Sequence, residues 1–141
     1  HALIPVTGNA GTSLFLSHAP CTDDWWTGIA LVNIREGDAD VQIQAIDGSG
    51  ETLAVVERCL PPRGQIVTMV DTLFKGVPRE KIASLTVRSS EFRPLAGLAV
   101  YGHRAGYQVE GLPLSSGWAG RTWPCCCPAP GWRKRGRCAS R

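Results

Sequence analysis

The chain has 141 residues, a net charge of +3 and 43% hydrophobic residues, enough apolar material for one buried core and an appendage. Its sixteen glycines and ten prolines favour short strands joined by turns over long helices. No apolar window of about 18 residues occurs, so the sequence excludes a helical membrane span, and its apolar content excludes a disordered chain.

The first half of the chain predicts three strands. Residues 13 to 18, SLFLSH, form a short alternating segment. Trp25 opens the stretch WWTGIALVNI, which is apolar at odd and even positions as far as Asn33, and we expect a central strand buried on both faces. Residues 41 to 47 alternate apolar side chains with glutamines, which is the period of a strand with one wet face.

A hairpin and one helical turn follow. The sequence Asp-Gly-Ser-Gly at residues 47 to 50 predicts a tight turn that leads into a strand at 51 to 60. After a further strand at 65 to 70, we expect a short helical turn near residues 71 to 75. In it, Asp71 caps the turn while Leu73 and Phe74 enter the core.

Three more strands complete the predicted fold, at residues 83 to 90, 95 to 102 and 107 to 114. The second of them, LAGLAVYG, is apolar on both faces like the Trp25 stretch. About eight strands at a spacing of roughly ten residues are typical of an all-β protein. We therefore predict a β-sandwich of immunoglobulin-like or jelly-roll-like type.

The two ends of the chain resemble each other. Residues 4 to 7, IPVT, are similar to residues 112 to 115, LPLS, at an offset of 108 positions, and an Ala-Gly pair follows each of them. Self-similarity at a domain-sized period indicates a tandem array. Coincidence is the alternative, since Leu-Pro before Ser and Gly is common in loops. We therefore divide the chain into the end of a preceding repeat or linker at 1–11, a sandwich module at 12–116 and a tail at 117–141.

The same segments carry a resemblance. WWTGIALVN, the DGSGE hairpin, LPPRGQ, the DTLF turn, PLAGLAVYG and EGLPL follow one another between residues 14 and 114. Together they resemble a tandemly repeated all-β module of secreted and surface proteins of bacteria. The resemblance implies a sandwich-like fold and supplies no catalytic residues. Arg63 stands where that pattern has a second glycine, which alters only a surface turn.

Catalytic and metal-binding motifs are missing from the sequence. It has no nucleophile elbow, phosphate loop, dinucleotide fingerprint or zinc-protease motif. His18 with Asp23 and Asp24 is the one candidate base with an orienting carboxylate, but strand ends ordinarily leave such residues in solvent. Turn chemistry accounts for the aspartates elsewhere. We predict a protein that is not an enzyme and has no cofactor or metal site.

Four aromatic residues are candidates for stacking on a ligand such as a sugar ring: Trp25, Trp26, Tyr101 and Tyr107. Successive residues of a strand point to opposite faces, so at least one of the two tryptophans can keep an exposed ring. Packing in the core and at its rim is the interpretation that we favour, and glycan binding is the alternative.

Cys21 and Cys59 are a candidate disulfide, which would imply an oxidising compartment. Two buried thiols are the alternative.

The tail differs in charge from the rest of the chain. Residues 1 to 120 contain nine basic and twelve acidic residues, whereas residues 121 to 141 contain six basic residues and no acid. Arg133, Lys134, Arg135 and Arg137 are candidates for contacts with nucleic-acid phosphates. A shifted reading frame in a truncated repeat explains the composition as well, and we expect this tail to be disordered.

These observations predict a non-catalytic structural or interaction module of a secreted or cell-surface bacterial protein, which acts in spacing, presentation or adhesion. Its expected partners are neighbouring repeats or other proteins. Carbohydrate binding through exposed aromatic rings is the first alternative, and nucleic-acid contact through the tail is the second.

Overall fold

Two antiparallel sheets form the protein in a computed structural model that describes residues 10–90, 93–106 and 109–116. The strands are β1 Ser13–Leu16, β2 Trp25–Asn33, β3 Ala39–Ile46, β4 Thr52–Leu60, β5 Gln65–Met69, β6 Ser84–Ser89, β7 Leu95–His103, β8 Val109–Pro113 and β9 Ser115–Ser116. One sheet has the order β4-β3-β6-β1-β9 and the other the order β5-β2-β7-β8. A single core of buried side chains from both sheets lies between them. The predicted all-β sandwich is confirmed.

The β3–β4 hairpin forms where the sequence predicts it. The Asp47 carboxylate accepts hydrogen bonds from the Ser49 amide at 2.8 Å, the Ser49 hydroxyl at 2.7 Å and the Glu51 amide at 2.9 Å. These bonds, chiefly the one from the Ser49 hydroxyl, lower the pKa of Asp47. Gly50 adopts a φ of 94°, which a residue with a Cβ atom rarely does.

The short helix α1, Val70–Leu73, begins one residue earlier than expected. Met69 occupies the N-cap position without a side-chain hydrogen bond, so the prediction that Asp71 caps the turn is wrong. Asp71 lies inside the first turn, and its carboxylate is 3.6 Å from the guanidinium of Arg104. Leu73 and Phe74 are buried at 8% and 2% exposure, as predicted. A 3₁₀ turn, Arg79–Lys81, follows before β6.

The central pair of strands is β2 and β7, which pair without interruption from Trp25 opposite His103 to Asn33 opposite Leu95. Alternate residues of β2 behave differently. Thr27, Ile29, Leu31 and Asn33 are buried in the core, whereas the residues between them are only half-buried on the other face. The expectation that both strands are buried on both faces is therefore wrong, because the second sheet covers one face only.

Asn33 ends β2 as a buried structural residue. Its side-chain amide donates hydrogen bonds to the carbonyls of Gly37 at 2.7 Å, Leu60 at 3.2 Å and Pro61 at 3.1 Å. Its side-chain oxygen accepts a bond from the Arg35 amide at 3.0 Å. Since Leu60 ends β4 in the other sheet, this single side chain fastens the two sheets together at one end of the sandwich.

Candidate functional site

The predicted stacking residues do not form one surface. Trp25 and Trp26 point to opposite faces of β2. Tyr101 faces the core at 8% exposure, and its hydroxyl donates a hydrogen bond of 2.6 Å to the carbonyl of His18. Burial also raises the pKa of Tyr101. Tyr101 is therefore a core residue, and its prediction as a stacking residue is wrong. Tyr107 lies outside the described residues.

Trp25 is half-buried at the end of the sheet. Its ring meets the ring of His103 edge to face, with centroids 5.0 Å apart and an interplanar angle of 90°. The Thr22 hydroxyl accepts a hydrogen bond from the Trp25 amide at 3.1 Å, which fixes the loop that leads into β2. From these contacts we conclude that Trp25 is a packing residue at the edge of the sandwich core.

Polar contacts in the same loop region serve the fold as well. The Thr27 hydroxyl donates to the Pro20 carbonyl at 2.7 Å, and Arg79 forms an ion pair with Asp23. The side chain of His18 is exposed, and the Asp23 carboxylate forms its ion pair with Arg79 instead. The candidate pairing of His18 with Asp23 is therefore not formed. Among the described residues, no group of three or more His, Cys, Asp or Glu side chains lies close enough to hold a metal ion.

The two body cysteines are not bonded to each other. Cys21 is a free thiol at 3% exposure, and burial raises its pKa. Cys59 is disulfide-bonded, so its partner is not Cys21. The register places Cys59 opposite Asp40, on the face of the five-stranded sheet that points away from the core. The predicted Cys21–Cys59 disulfide is wrong because the two side chains lie on different sides of that sheet.

The outward side of the four-stranded sheet is the most distinctive surface of the described chain, and we call it the outer apolar face. It consists of Gln65, Val67 and Met69 of β5, Trp26, Gly28, Ala30 and Val32 of β2, Ala96, Leu98, Val100 and Gly102 of β7, and Gly111 and Pro113 of β8. None of these described positions carries a charged side chain. Apart from Gly102, which is buried, they are half-buried or exposed, and Val67 keeps 73% of its surface in solvent.

The outer apolar face has a groove along β2. Gly28 and Ala30 form its floor, and the register sets them between larger side chains on the two neighbouring strands. Those flanking residues are Met69 and Val67 on β5, and Val100 and Leu98 on β7. At one end, the indole ring of Trp26 lies over Gly102, so closely that a Cβ atom at position 102 would overlap it. The absence of a side chain at Gly102 therefore allows the indole ring of Trp26 to pack flat against the neighbouring strand.

The outward side of the five-stranded sheet is polar by comparison. Gln42 and Gln44 of β3 lie there and hydrogen-bond to each other at 3.1 Å, and the register places Glu57 and Arg88 on either side of Gln42. This side mixes charged and amide groups with the exposed apolar side chains Phe15 and Val55, and Gln42 itself is only 5% exposed. The sandwich therefore has one outer side with charged residues and one without them at its described positions. The sequence analysis missed the uncharged side because it assigned these residues to a core. The signal was present in the sequence, because most residues that point to either face of β2 and β7 are apolar.

The predicted tail contacts Arg133, Lys134, Arg135 and Arg137 lie outside the described residues, as do residues 1–9. Within the described ranges, no helix has the length and apolar character needed to cross a membrane.

Fold and surface together define a β-sandwich module with one apolar sheet face. No known protein family matches the sequence, and no curated protein matches it. The fold is similar to that of a solved structure titled "Crystal Structure of Thermotoga maritima 1070", with a TM-score of 0.64 and 15% sequence identity. The similarity covers 77% of this chain and 96% of the Thermotoga maritima chain. It establishes the sandwich fold.

Proposed function

We propose that this chain is a non-catalytic interaction module of a secreted or cell-surface bacterial protein, in which it spaces, presents or adheres. The observation that carries the proposal is the outer apolar face. A sheet side without a charged residue at its described positions is suited to contact another macromolecule rather than water.

The size of the face supports this proposal. Four strands at about 4.8 Å spacing span roughly 19 Å, and outward residues recur every ~6.7 Å along a strand, so four of them with their margins span about 25 Å. The flat area is therefore about 450 Å². The largest apolar patch on a typical monomer is about 300–600 Å² and is often functional. Val67 and Leu98 belong to a patch at the size where function is the usual explanation.

Binding of the uncharged apolar dye Nile red tests whether this face is available. The folded chain at about 1 µM should bind the dye, and Val67→Glu should weaken that binding several-fold because it brings a charge into the face. Val55→Glu is the matched control. Val55 is 45% exposed on the outward side of the five-stranded sheet, so the same substitution there should leave dye binding unchanged. Equal effects of both substitutions, or no dye binding by the native chain, would reject an accessible apolar interaction face.

The location at the cell surface rests on the resemblance of the WTGIALVN and PLAG segments to modules of secreted and surface proteins. Lys75 and Lys81 are exposed and offer the test. A membrane-impermeant amine reagent should label both lysines in intact cells of the bacterium that makes the parent protein, to the same extent as in a lysate. Labelling only after lysis would contradict this part of the proposal.

Carbohydrate binding is the alternative, and the half-exposed ring of Trp26 on the outer apolar face favours it. Because Trp25 points the other way and Tyr101 is buried, a sugar would stack on one ring only. Quenching of tryptophan fluorescence by soluble oligosaccharides, abolished in Trp26→Ala, would support this alternative over a protein partner.

A further inference from the structure

We infer that the outer apolar face binds a second copy of this chain, face to face about a two-fold axis. The inference rests on the proposed function, because it names the partner of the same face. Three properties of the face point to a copy of itself: its charge, its relief and its area.

Charge is the first property. Two-fold pairing sets a residue i against a residue j of the other copy and j against i, and only residues at the axis meet their own counterparts. Each charged group in such a face would need an opposite charge at its partner position, and an uncharged face has no such requirement. The described positions of the outer apolar face carry no charge, and Gln65 at its margin is the polar exception. The face therefore meets no electrostatic penalty against itself. The outward side of the five-stranded sheet, by contrast, carries the charged residues Glu57 and Arg88.

Relief is the second property, because the face contains a groove and a matching ridge side by side. Gly28 and Ala30 line the groove, and Val100 and Leu98 on the adjacent strand β7 form the ridge at the same register positions. A two-fold axis between the two strands would insert the ridge of each copy into the groove of the other. Facing sheets pack about 10 Å apart with interdigitating side chains, and a ridge beside a small-residue groove provides that interdigitation.

Area is the third property, and it sets the strength of the expected complex. Two faces of about 450 Å² bury roughly 900 Å² together, near the lower limit of about 1,000 Å² for a specific interface. Such an interface is typical of a reversible, weak association. We therefore expect a reversible monomer–dimer equilibrium rather than a permanent dimer.

Sedimentation equilibrium of the 141-residue chain between about 1 µM and 1 mM tests the inference. The average mass should rise with concentration towards that of a dimer. Ala30→Glu places a carboxylate on the groove floor and should weaken dimerisation at least tenfold. Val67→Glu, at a site 73% exposed and so without risk to folding, should weaken it several-fold. Val55→Glu on the other sheet is the matched control and should leave the dimer unchanged. Far-UV circular dichroism establishes that each variant is folded.

The outcomes separate this inference from the proposed function. A chain that stays monomeric at 1 mM but binds Nile red through the Val67 surface overturns the second copy as partner, and the interaction module stands. A chain that neither dimerises nor binds the dye contradicts both. A dimer that resists Ala30→Glu and Val67→Glu uses another surface and overturns the inference. So does a dimer that is lost when residues 117–141 are removed while dye binding is unchanged.

Discussion

Replacement of Gly102 by alanine tests the placement of Trp26 on the outer apolar face. A Cβ atom at position 102 would overlap the indole ring, so the ring must leave its place over β7. If the ring gives up about 100 Å² of contact at ~25 cal/mol per Å², the loss is about 2.5 kcal/mol. Overpacking of this kind typically costs 1–3 kcal/mol. We expect Gly102→Ala to lower the free energy of unfolding by about 1–3 kcal/mol.

A double-mutant cycle separates this clash from any general effect of alanine in a strand. Without a clash, an alanine is favoured over a glycine in a strand by about 0.5–1 kcal/mol. In the Trp26→Ala background, Gly102→Ala should therefore be neutral or stabilising, and the coupling between the two positions should exceed about 1.5 kcal/mol. Urea unfolding followed by far-UV circular dichroism measures all four proteins without relying on tryptophan fluorescence.

Gly28 on the neighbouring strand is the matched control. It lies on the same outer apolar face, but a Cβ atom there would approach no atom closer than 3.7 Å, which is ordinary van der Waals contact. Gly28→Ala should leave stability unchanged or raise it by up to about 1 kcal/mol. If Gly28→Ala and Gly102→Ala destabilise equally, or if the cycle shows no coupling, Trp26 does not lie over Gly102 and the relief argued for this face is wrong.

Three further predictions concern the core. Leu31→Ala should lower the free energy of unfolding by about 2–5 kcal/mol, because Leu31 is fully buried between the sheets. In the same urea titration, Val55→Ala at an exposed site should change the free energy of unfolding by less than ~0.5 kcal/mol. Asn33→Ala should cost about 2–4 kcal/mol, since it leaves three backbone carbonyls without their donor, and near-normal stability would mean that the amide does not fasten the sheets. Burial raises the pKa of Cys21, so its contribution is fully present below the thiol pKa of the unfolded chain, about 8.5, and is lost as the pH rises towards the folded value. Unfolding measured from pH 7 to 10 should therefore show a fall in stability that is shallower in Cys21→Ala, and identical slopes would contradict a buried thiol.

The sequence was sufficient to predict the fold where local pattern decides the structure. Alternation of apolar residues with Gln42 and Gln44 predicts β3 as a strand with its apolar face in the core, although the expected wet face is wrong because Gln42 is only 5% exposed. Asp47 with Gly50 predicts the turn after β3. Leu73 and Phe74 enter the core as expected, because burial is favourable for two adjacent large apolar side chains in an otherwise polar turn. In each case the deciding interactions lie within a few residues along the chain.

Features that depend on distant contacts could not be predicted in this way. Asn33 was assigned only as the polar end of a strand, but its amide bonds to carbonyls 27 and 28 residues away. The spacing of Cys21 and Cys59 does not reveal that one lies in the core and the other on an outward face. Tyr101 is likewise not available for stacking, because it is buried and its hydroxyl donates a hydrogen bond to the carbonyl of His18, which is 83 residues away in the chain.

The outer apolar face connects these two kinds of result. Apolar residues on both faces of β2 and β7 indicate that neither side of the pair is an ordinary polar surface, but only the fold reveals that the second sheet covers one side. Under the proposed self-association, a second copy covers the other side, and a face of about 450 Å² is near the lower limit for a stable interface. Modules in tandem are held near one another at about millimolar effective concentration, provided that the linker spans the distance. The proposed face-to-face contact would therefore form more readily between linked modules than between free chains, and linked modules are the arrangement that the similarity between residues 4–7 and 112–115 predicts.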